Sequence, residues 1–459
     1  MQAMLGEEYA AFEAAFDPSK AHGSGIRISQ TKPNAQNAVI SKFALTERVE
    51  WCKSGYYADK TQIRGTHPYH LAGLIYFQEP SAMSAAEGLP IAEGDKVLDL
   101  CAAPGGKSTR LAEKLNGTGL LIANEIIKSR AAILSGNIER MGYKNVIVTN
   151  ESPDRLAAKY PNYFDKIMVD APCSGEGMFR KEPQAVEEWS VEHTISCAER
   201  QKQILRSAMS MLKTGGLLMY STCTFAPEEN EKIALWLTQN GFKIRHIPEL
   251  DMLSEGNPEF AESDTDDLRL TRRIYPHIQR GEGHFAALFE KTAETESAPV
   301  PKKRADKRKG RDKAAAAKDK ALENALNAYR EFEKKFLNIR LDGVPVLFGE
   351  SLYLMPEGID TDGVKVMRCG LHVGDALKGR FEPAHALALA LNKADIKQTL
   401  DFDAESAEVG AYLHGETLPC DMNAWCAVCA DGYVLGWGKA SGGVLKNKLP
   451  KGLRTLNVH

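Results

Sequence analysis

No apolar run in this sequence approaches the roughly 20 residues needed to span a bilayer, so a helical membrane protein is excluded. The opening stretch, MQAMLGEEYAAF, is acidic and amphipathic. It lacks the basic-then-apolar layout of a signal peptide and the Arg-rich character of a transit peptide. Cysteines number nine, an odd count with no repeating framework. That argues against a disulfide scaffold and suits a reducing cytoplasm. Zinc sites draw on two well-spaced ligand pairs. Here a single C-x-x-C, Cys426 and Cys429, stands near Cys420 and His414, so packing in a small β module is expected and no metal. There is no internal repeat and little net charge, −3 at pH 7.

The charge is segregated, however. Residues 302–320 (KKRADKRKGRDKAAAAKDK) hold ten Lys/Arg against three Asp, and residues 433–454 hold five Lys/Arg and no acid. Residues 249–267 hold eight acids and no base. Basic segments of this kind track a phosphate backbone with salt-dependent affinity. The 302–320 run reads equally well as a solvated linker. At 459 residues the chain is long enough for two to four domains, each with its own core.

After a mainly helical start, "GIRISQTKPN" reads as a strand and turn, and "YHLAGLIYFQEPSAMSAAEGL" as a strand or short helix leading into a helix ended by Gly88 and Pro90. From residue 95, short apolar runs alternate with amphipathic stretches. "KVLDLC" (96–101), "LLIANE" (120–125), "NVIVTN" (145–150), "KIMVDA" (166–171) and "LLMYSTC" (217–223) are the expected strands. A helix is expected over 192–213, stopped by Gly215-Gly216. Such alternation predicts a doubly wound, mostly parallel α/β sheet. Ligands of such sheets sit at the carboxyl ends of the strands, so the loops after Leu100, Asn124, Asn150, Asp170 and Tyr220 should share one site.

The loop after the first strand, "CAAPGGKST", admits two readings. Its end looks like a phosphate-binding loop, but that motif requires Gly six residues before the Lys, where Cys101 stands. A nucleotide triphosphatase is therefore disfavoured. The other reading is a nucleoside pocket. Gly105 and Gly106 bring backbone amides to a helix start. Glu125, at the end of the next strand, is placed to bond two ribose hydroxyls unless it is a plain surface acid.

"DLCAAPGGKS", "NEIIKSR", "DAPCSGEGMFRK" and "STCTFAPEENE", in this order and spacing, resemble the Nop/Sun RNA 5-methylcytosine methyltransferases, and within them the bacterial RsmF-type ribosomal RNA enzymes. The resemblance covers residues 1–291 with specific motifs and extends more weakly to the tail. It implies a Rossmann-like class I methyltransferase core at 91–291 after an N-terminal RNA-binding α/β extension at 1–90. A basic flexible linker (292–320), a C-terminal α/β domain (321–385) and a PUA-like RNA-binding domain (386–459) would follow. It also implies S-adenosylmethionine held against Cys101, Ala102, Ala103, Pro104, Gly105, Gly106 and Lys107. Glu125 would bind the ribose, Arg130 would support that acid, and Asp170 would border the cofactor. Where the family carries Asp near the adenine, this chain has Ser152, beside Glu151.

The implied reaction explains the motif types. Cytosine C5 is a poor nucleophile. A thiolate adding to C6 makes C5 nucleophilic, after which the C5 proton and the thiolate must leave. Cys173 after Pro172 and Cys223 ending "YSTC" are the candidates. In DNA cytosine methyltransferases the Pro-Cys thiol attacks; in this RNA family the Thr-Cys thiol does. The resemblance thus makes Cys223 the nucleophile and Cys173 the assistant in proton removal or release. Asp170 would meet the cytosine N3/N4 edge and Lys107 the base carbonyl. Arg180-Lys181 in the following loop are expected to meet phosphate as the base leaves its stack, and Tyr433 and Trp437 either stack on bases or fill a core. The expected protein is a cytoplasmic, monomeric enzyme methylating cytosine C5 in small-subunit (16S) ribosomal RNA, free or within the subunit. A tRNA cytosine methyltransferase and an RNA-binding assembly factor with little catalysis are the alternatives. The paired cysteines argue against the latter.

Overall fold

The computed structural model describes residues 1–17, 24–59, 61–181, 183–293, 312–378 and 380–455. Much of the basic 302–320 run lies outside the described residues. A long helix, Asp312–Phe336, begins before the expected end of the linker at 320.

The N-terminal part forms a three-stranded antiparallel sheet from β1 (Gly25–Ile28), β2 (Gly55–Tyr57) and β3 (Ile75–Phe77), in the order β2-β1-β3. A helix, Pro80–Gly88, follows. Its first residue is a proline with φ already suited to a helix, and the preceding Glu79 side chain accepts the Ala82 N–H.

The main sheet has ten strands. Its parallel centre is β4 (Lys96–Asp99), β5 (Leu120–Asn124), β6 (Val146–Thr149), β7 (Phe164–Asp170) and β8 (Leu212–Thr222), in the spatial order β6-β5-β4-β7-β8. The direction of winding reverses at β4, where a doubly wound sheet opens a crevice. Side chains alternate between two buried faces, as the period of two demands. Leu98, Ile122, Ile147, Ile167 and Val169 enter one core. Val97, Leu121, Val146, Val148 and Met168 enter the other.

Further strands are β9 (Phe242–Arg245), β10 (Ser254–Glu255), β11 (Arg272–Ile274) and β12 (His284–Lys291). β12 lies antiparallel on β8 and pairs Phe285 with Thr222. The long helix before β8 ends at Met211. Gly215-Gly216, expected to stop it, instead lie inside β8, where the pairing with β7 shifts register between Phe164 and Lys166.

The C-terminal part adds β13 (Val344–Phe348), β14 (Ser351–Met355), β15 (Val366–Cys369), β16 (Leu371–Leu377) and β17 (Arg380–Pro383). A last five-stranded sheet holds β18 (Thr399–Phe402), β19 (Leu418–Pro419), β20 (Ala424–Ala430), β21 (Tyr433–Ser441) and β22 (Val444–Asn447). Two joints tie this part to the rest. β15 pairs antiparallel with β6 and so completes the edge of the main sheet. Ile26, Tyr69 and Ile75 of the N-terminal part share one apolar core with Tyr412, Cys426 and Leu435. Tyr69 Oη donates to Asp431 Oδ2 at 2.9 Å across that joint.

Trp437 is fully buried in the last module, as are Cys420, Cys426 and Cys429, and Tyr433 Oη donates to the Pro33 carbonyl. Among the described residues no group of three or more His, Cys, Asp or Glu is arranged to hold a metal. No described helix is long and apolar enough to cross a membrane. A chain cut after residue 293 would leave β6 as an open edge and uncover the shared core. It is expected to lose its cooperative unfolding transition and to aggregate, measured by scanning calorimetry and sedimentation velocity.

Candidate active site

The parallel pairing of β7 with β8 sets Asp170 opposite Ser221. The chain leaves each strand within three residues of a cysteine. The two loops therefore meet, with Cys173 Sγ and Cys223 Sγ 3.3 Å apart, both partly buried and both free thiols. Gly177 lets them approach: a Cβ there would lie 2.7 Å from the Cys223 carbonyl oxygen, which accepts the Gly177 N–H. Two carboxylates clasp the loops. Glu229 accepts from the Ser174 N–H and hydroxyl and, at 2.6 Å, from Gln201 Nε2. Glu176 Oε2 accepts the Phe225 N–H at 2.9 Å and the Thr224 hydroxyl at 3.1 Å. Burial pushes the Glu229 carboxyl up against its hydrogen bonds. Behind them, buried Arg273 forms an ion pair with buried Glu231, its Nε 2.7 Å from Oε1, and donates to the Phe225 carbonyl.

Asp170 faces Lys107 Nζ at 2.9 Å, accepts the Ser221 hydroxyl at 2.7 Å and stands 3.8 Å from His284 Nε2. Burial raises its carboxyl, but Lys107, His284 and Ser221 together hold it below the usual carboxylate range. Asp170 is thus ionised at neutral pH. Burial, and then Lys107, push His284 down to about 3, so its ring is neutral there. Its Nε2 is buried without a hydrogen-bond partner among the described residues. Cys173 is pushed well above the ordinary thiol value by its hydrogen bond to Cys223 and by burial.

A cavity of about 1040 Å³ runs from these thiols to the ends of β5 and β6. Cys173, Cys223 and Asp170 line one end; Cys101, Ala103, Asn124, Glu125, Arg130 and Ser152 line the other. Glu125 accepts the Ile127 N–H at 2.8 Å. Arg130 reaches Glu125 Oε2 at 3.5 Å with one nitrogen and the Ala103 carbonyl at 3.0 Å with another. A carboxylate beside a backbone loop, with exposed Ile126 and Ile127 nearby, is a donor set that fits a nucleoside's diol and flat base.

Ala102, Pro104, Gly105, Gly106 and Lys107 are not among the lining residues. Gly105 has φ +116°, and a Cβ on Gly106 would lie 3.0 Å from Gln78 Nε2, so both glycines answer to turn geometry and to packing on the N-terminal part. Arg180 is turned inward onto Glu282 at 2.6 Å and the Ala15 carbonyl, and Lys181 also reaches Glu282. This corrects the expectation that the pair meets phosphate.

Sequence reasoning missed two residues. Asn124 bonds Leu100 O, Thr149 Oγ1 and both backbone groups of Glu151, and so ties three strand ends together. It stood unremarked beside Glu125. His284 reaches the site only through the antiparallel placement of β12, which no local pattern predicts.

Residues 86–290 match the family model described as 16S rRNA methyltransferase RsmB/F. Residues 1–80, 331–391 and 399–455 match the N-terminal, first C-terminal and PUA domains of RsmF methyltransferases. Ribosomal RNA small subunit methyltransferase F of Enterobacter sp. (strain 638) is 31% identical over 456 residues, 95% of this chain and 91% of that one. The namesake protein of Shewanella loihica is 34% identical over 424 residues, 89% and 83%. The chain belongs to the RsmF family of 16S ribosomal RNA methyltransferases.

RsmF-type enzymes are RNA methyltransferases that depend on S-adenosylmethionine. A solved methyltransferase homologue from Pyrococcus horikoshii superposes at TM-score 0.54 with 29% identity, covering 62% of this chain and 91% of that one. NSun6 of the same organism, solved with the S-adenosylmethionine analogue SFG, gives TM-score 0.54 at 22% identity, covers 64% and 96%, and bears on the fold alone.

Two outcomes are expected of variants here. Glu229→Ala frees both cysteine loops and should lower single-turnover methyl transfer about 100-fold, the scale of a small misplacement of reacting groups, with cofactor affinity retained. The second concerns buried Asp99, which accepts the Ser108 hydroxyl at 2.6 Å and is pushed by burial up to about 7. The folded state then holds its proton more tightly than the unfolded state. Stability is therefore greatest below the ordinary carboxylate range and falls as pH rises toward about 7. Asp99→Asn should flatten that limb in urea midpoints taken across the range.

Proposed function

We propose that this chain methylates C5 of a cytosine in small-subunit ribosomal RNA, and that Cys223 forms a transient bond to C6 while Cys173 serves the later steps. The observation that carries the reading is the pair of thiols 3.3 Å apart, beside an ionised carboxylate, in a cavity that continues to Glu125 and Ser152. Pockets for a single small ligand span roughly 300–1,000 Å³, and this one is at the upper end. The match to the RsmF PUA domain supports an RNA substrate.

Cys101, Ala103, Glu125, Arg130 and Ser152 would hold S-adenosylmethionine, which would supply the electrophilic methyl group. The chain's own residues do the rest. Asp170, ionised, accepts from the exocyclic N4 amino group of cytosine and is itself held by the Lys107 ammonium, 2.9 Å away and outside the cavity lining. Asp170 orients the ring, and the positive charge of Lys107 beside it offsets the negative charge that moves onto N3 as the Cys223 sulfur bonds C6. The thiolate is the attacking form of cysteine, and Cys173, held protonated by its neighbour, is the poorer nucleophile of the two. Its situation changes once Cys223 is bonded to carbon. With the sulfur that chiefly raised it now bonded to carbon, Cys173 gives up its proton to solvent, and the resulting thiolate takes the C5 proton. Loss of that proton restores the C5–C6 double bond as the Cys223 sulfur leaves with its electron pair.

Cys223→Ala should abolish turnover with cofactor affinity nearly unchanged; retained methylation of ribosomal RNA would overturn the nucleophile assignment. Cys173→Ala should accumulate a protein–RNA adduct stable in denaturant. Absence of that band with RNA and cofactor present would remove Cys173 from the release step. Bisulfite mapping of 16S ribosomal RNA from cells lacking the protein tests the C5 product.

A further inference from the structure

The third strand-end loop of the cofactor side is held from outside the catalytic sheet. Glu151 is buried, directly before Ser152, Pro153 and Asp154, which line the cavity. Its backbone N–H and carbonyl both bond the Asn124 side chain, so the main chain is pinned to the pocket. Its carboxylate points the other way. Oε1 accepts the Lys365 N–H at 3.0 Å, and Oε2 faces Arg155 Nε at 3.2 Å. Lys365 belongs to the C-terminal part and immediately precedes β15. Its carbonyl accepts the Asn150 N–H at 2.9 Å, so strand pairing and side-chain contact interleave at one point.

The same segment grips the helix Pro153–Lys159 and the turn after it. Arg155 donates to the Gly363 carbonyl, Lys159 pairs with Asp360, Tyr160 Oη donates to the Asp360 carbonyl, and Tyr163 Oη to the Gly358 carbonyl. A buried carboxylate that loses a donor bears the full desolvation cost of the exposed lone pair. Its relief is to swing toward water, and that moves the turn carrying Ser152.

We propose that Glu151 is a positioning residue through which segment 358–369 of the C-terminal part sets the Ser152–Asp154 turn and thereby the affinity for S-adenosylmethionine. The proposal rests on the reading that the Glu125–Ser152 end of the cavity holds the cofactor.

The test is calorimetric binding of S-adenosylmethionine to the full chain, without RNA or turnover. Glu151→Ala should raise the cofactor Kd about tenfold or more, the scale of a lost hydrogen bond to a charged group. Binding of 16S ribosomal RNA should not change. Glu151→Gln keeps the Oε1 acceptor and loses only the pair with exposed Arg155, worth little, so it should bind within about twofold of the parent. Lys365→Pro removes the N–H that Glu151 accepts and keeps the carbonyl that Asn150 uses, and should match Glu151→Ala. The double variant Glu151→Ala/Lys365→Pro should be no weaker than the weaker single variant.

A parental Kd for Glu151→Ala, a Gln variant as weak as the Ala variant, or additive effects in the double variant would each overturn the proposal. Glu125→Ala separates the two levels. If it loses affinity while Glu151→Ala does not, the link to the tail is wrong. If both bind as the parent does, the cofactor is not at this end and the proposal falls with that placement.

Discussion

The site depends on one register. Five hydrogen-bonded neighbours along β7 and β8, from Lys166 beside Leu217 to Asp170 beside Ser221, run parallel and end together. Because both strands point the same way, both loops emerge on the same edge, and two cysteines separated by 50 residues meet as sulfurs in contact. An antiparallel pairing would send one loop to the opposite edge. A slip of one residue would turn Asp170 into the core and an apolar neighbour toward Lys107. The Gly215-Gly216 irregularity sits at the far end of the same pair, where the mismatch does not reach the site.

Around that register the protein places polar groups in its interior and joins many of them in closed sets, with His284 Nε2 and Asp99 Oδ1 as exceptions. Glu229 ties the loop after β7 to the helix behind it through Ser174 and Gln201, while Tyr220 Oη bonds the Glu229 carbonyl. Asn124 does similar work across β4, β5 and β6. Each set joins segments far apart in sequence, so the edge of the sheet is rigid where a base and a cofactor must be held at fixed separation. Rigidity in the supporting groups lets the thiols act without reorganising their surroundings.

The sheet was legible because its strands are short, apolar on both faces and separated by amphipathic stretches. The chemistry expected of "DAPCSG" and "STC" came from the resemblance of the paired motifs to those of a known family, since burial alone could account for either cysteine taken singly. What the sequence hid is long-range. β15 is a four-residue stretch with Arg368 inside it, and nothing local says it joins β6. His284 comes from an antiparallel strand placed only by the whole sheet. Arg180 and Lys181 look like exposed phosphate ligands because Glu282, their buried partner, lies 100 residues away. Of the two glycines after Pro104, Gly105 packs toward Leu134 and Asn137, and Gly106 toward Gln78 and Tyr76 of the N-terminal part.

That N-terminal part has a further consequence in the order of synthesis. Its sheet completes its apolar core against the last module, and Tyr69 and Asp431 are 362 residues apart. Translation at roughly 5–20 residues per second puts something like 20–70 s between the appearance of the two halves of that core. During this interval the first strands wait with an uncovered apolar face while the catalytic sheet assembles behind them. The chain therefore closes on itself like a clasp fastened last, and its exposure to chaperones and to misassembly is concentrated at its beginning.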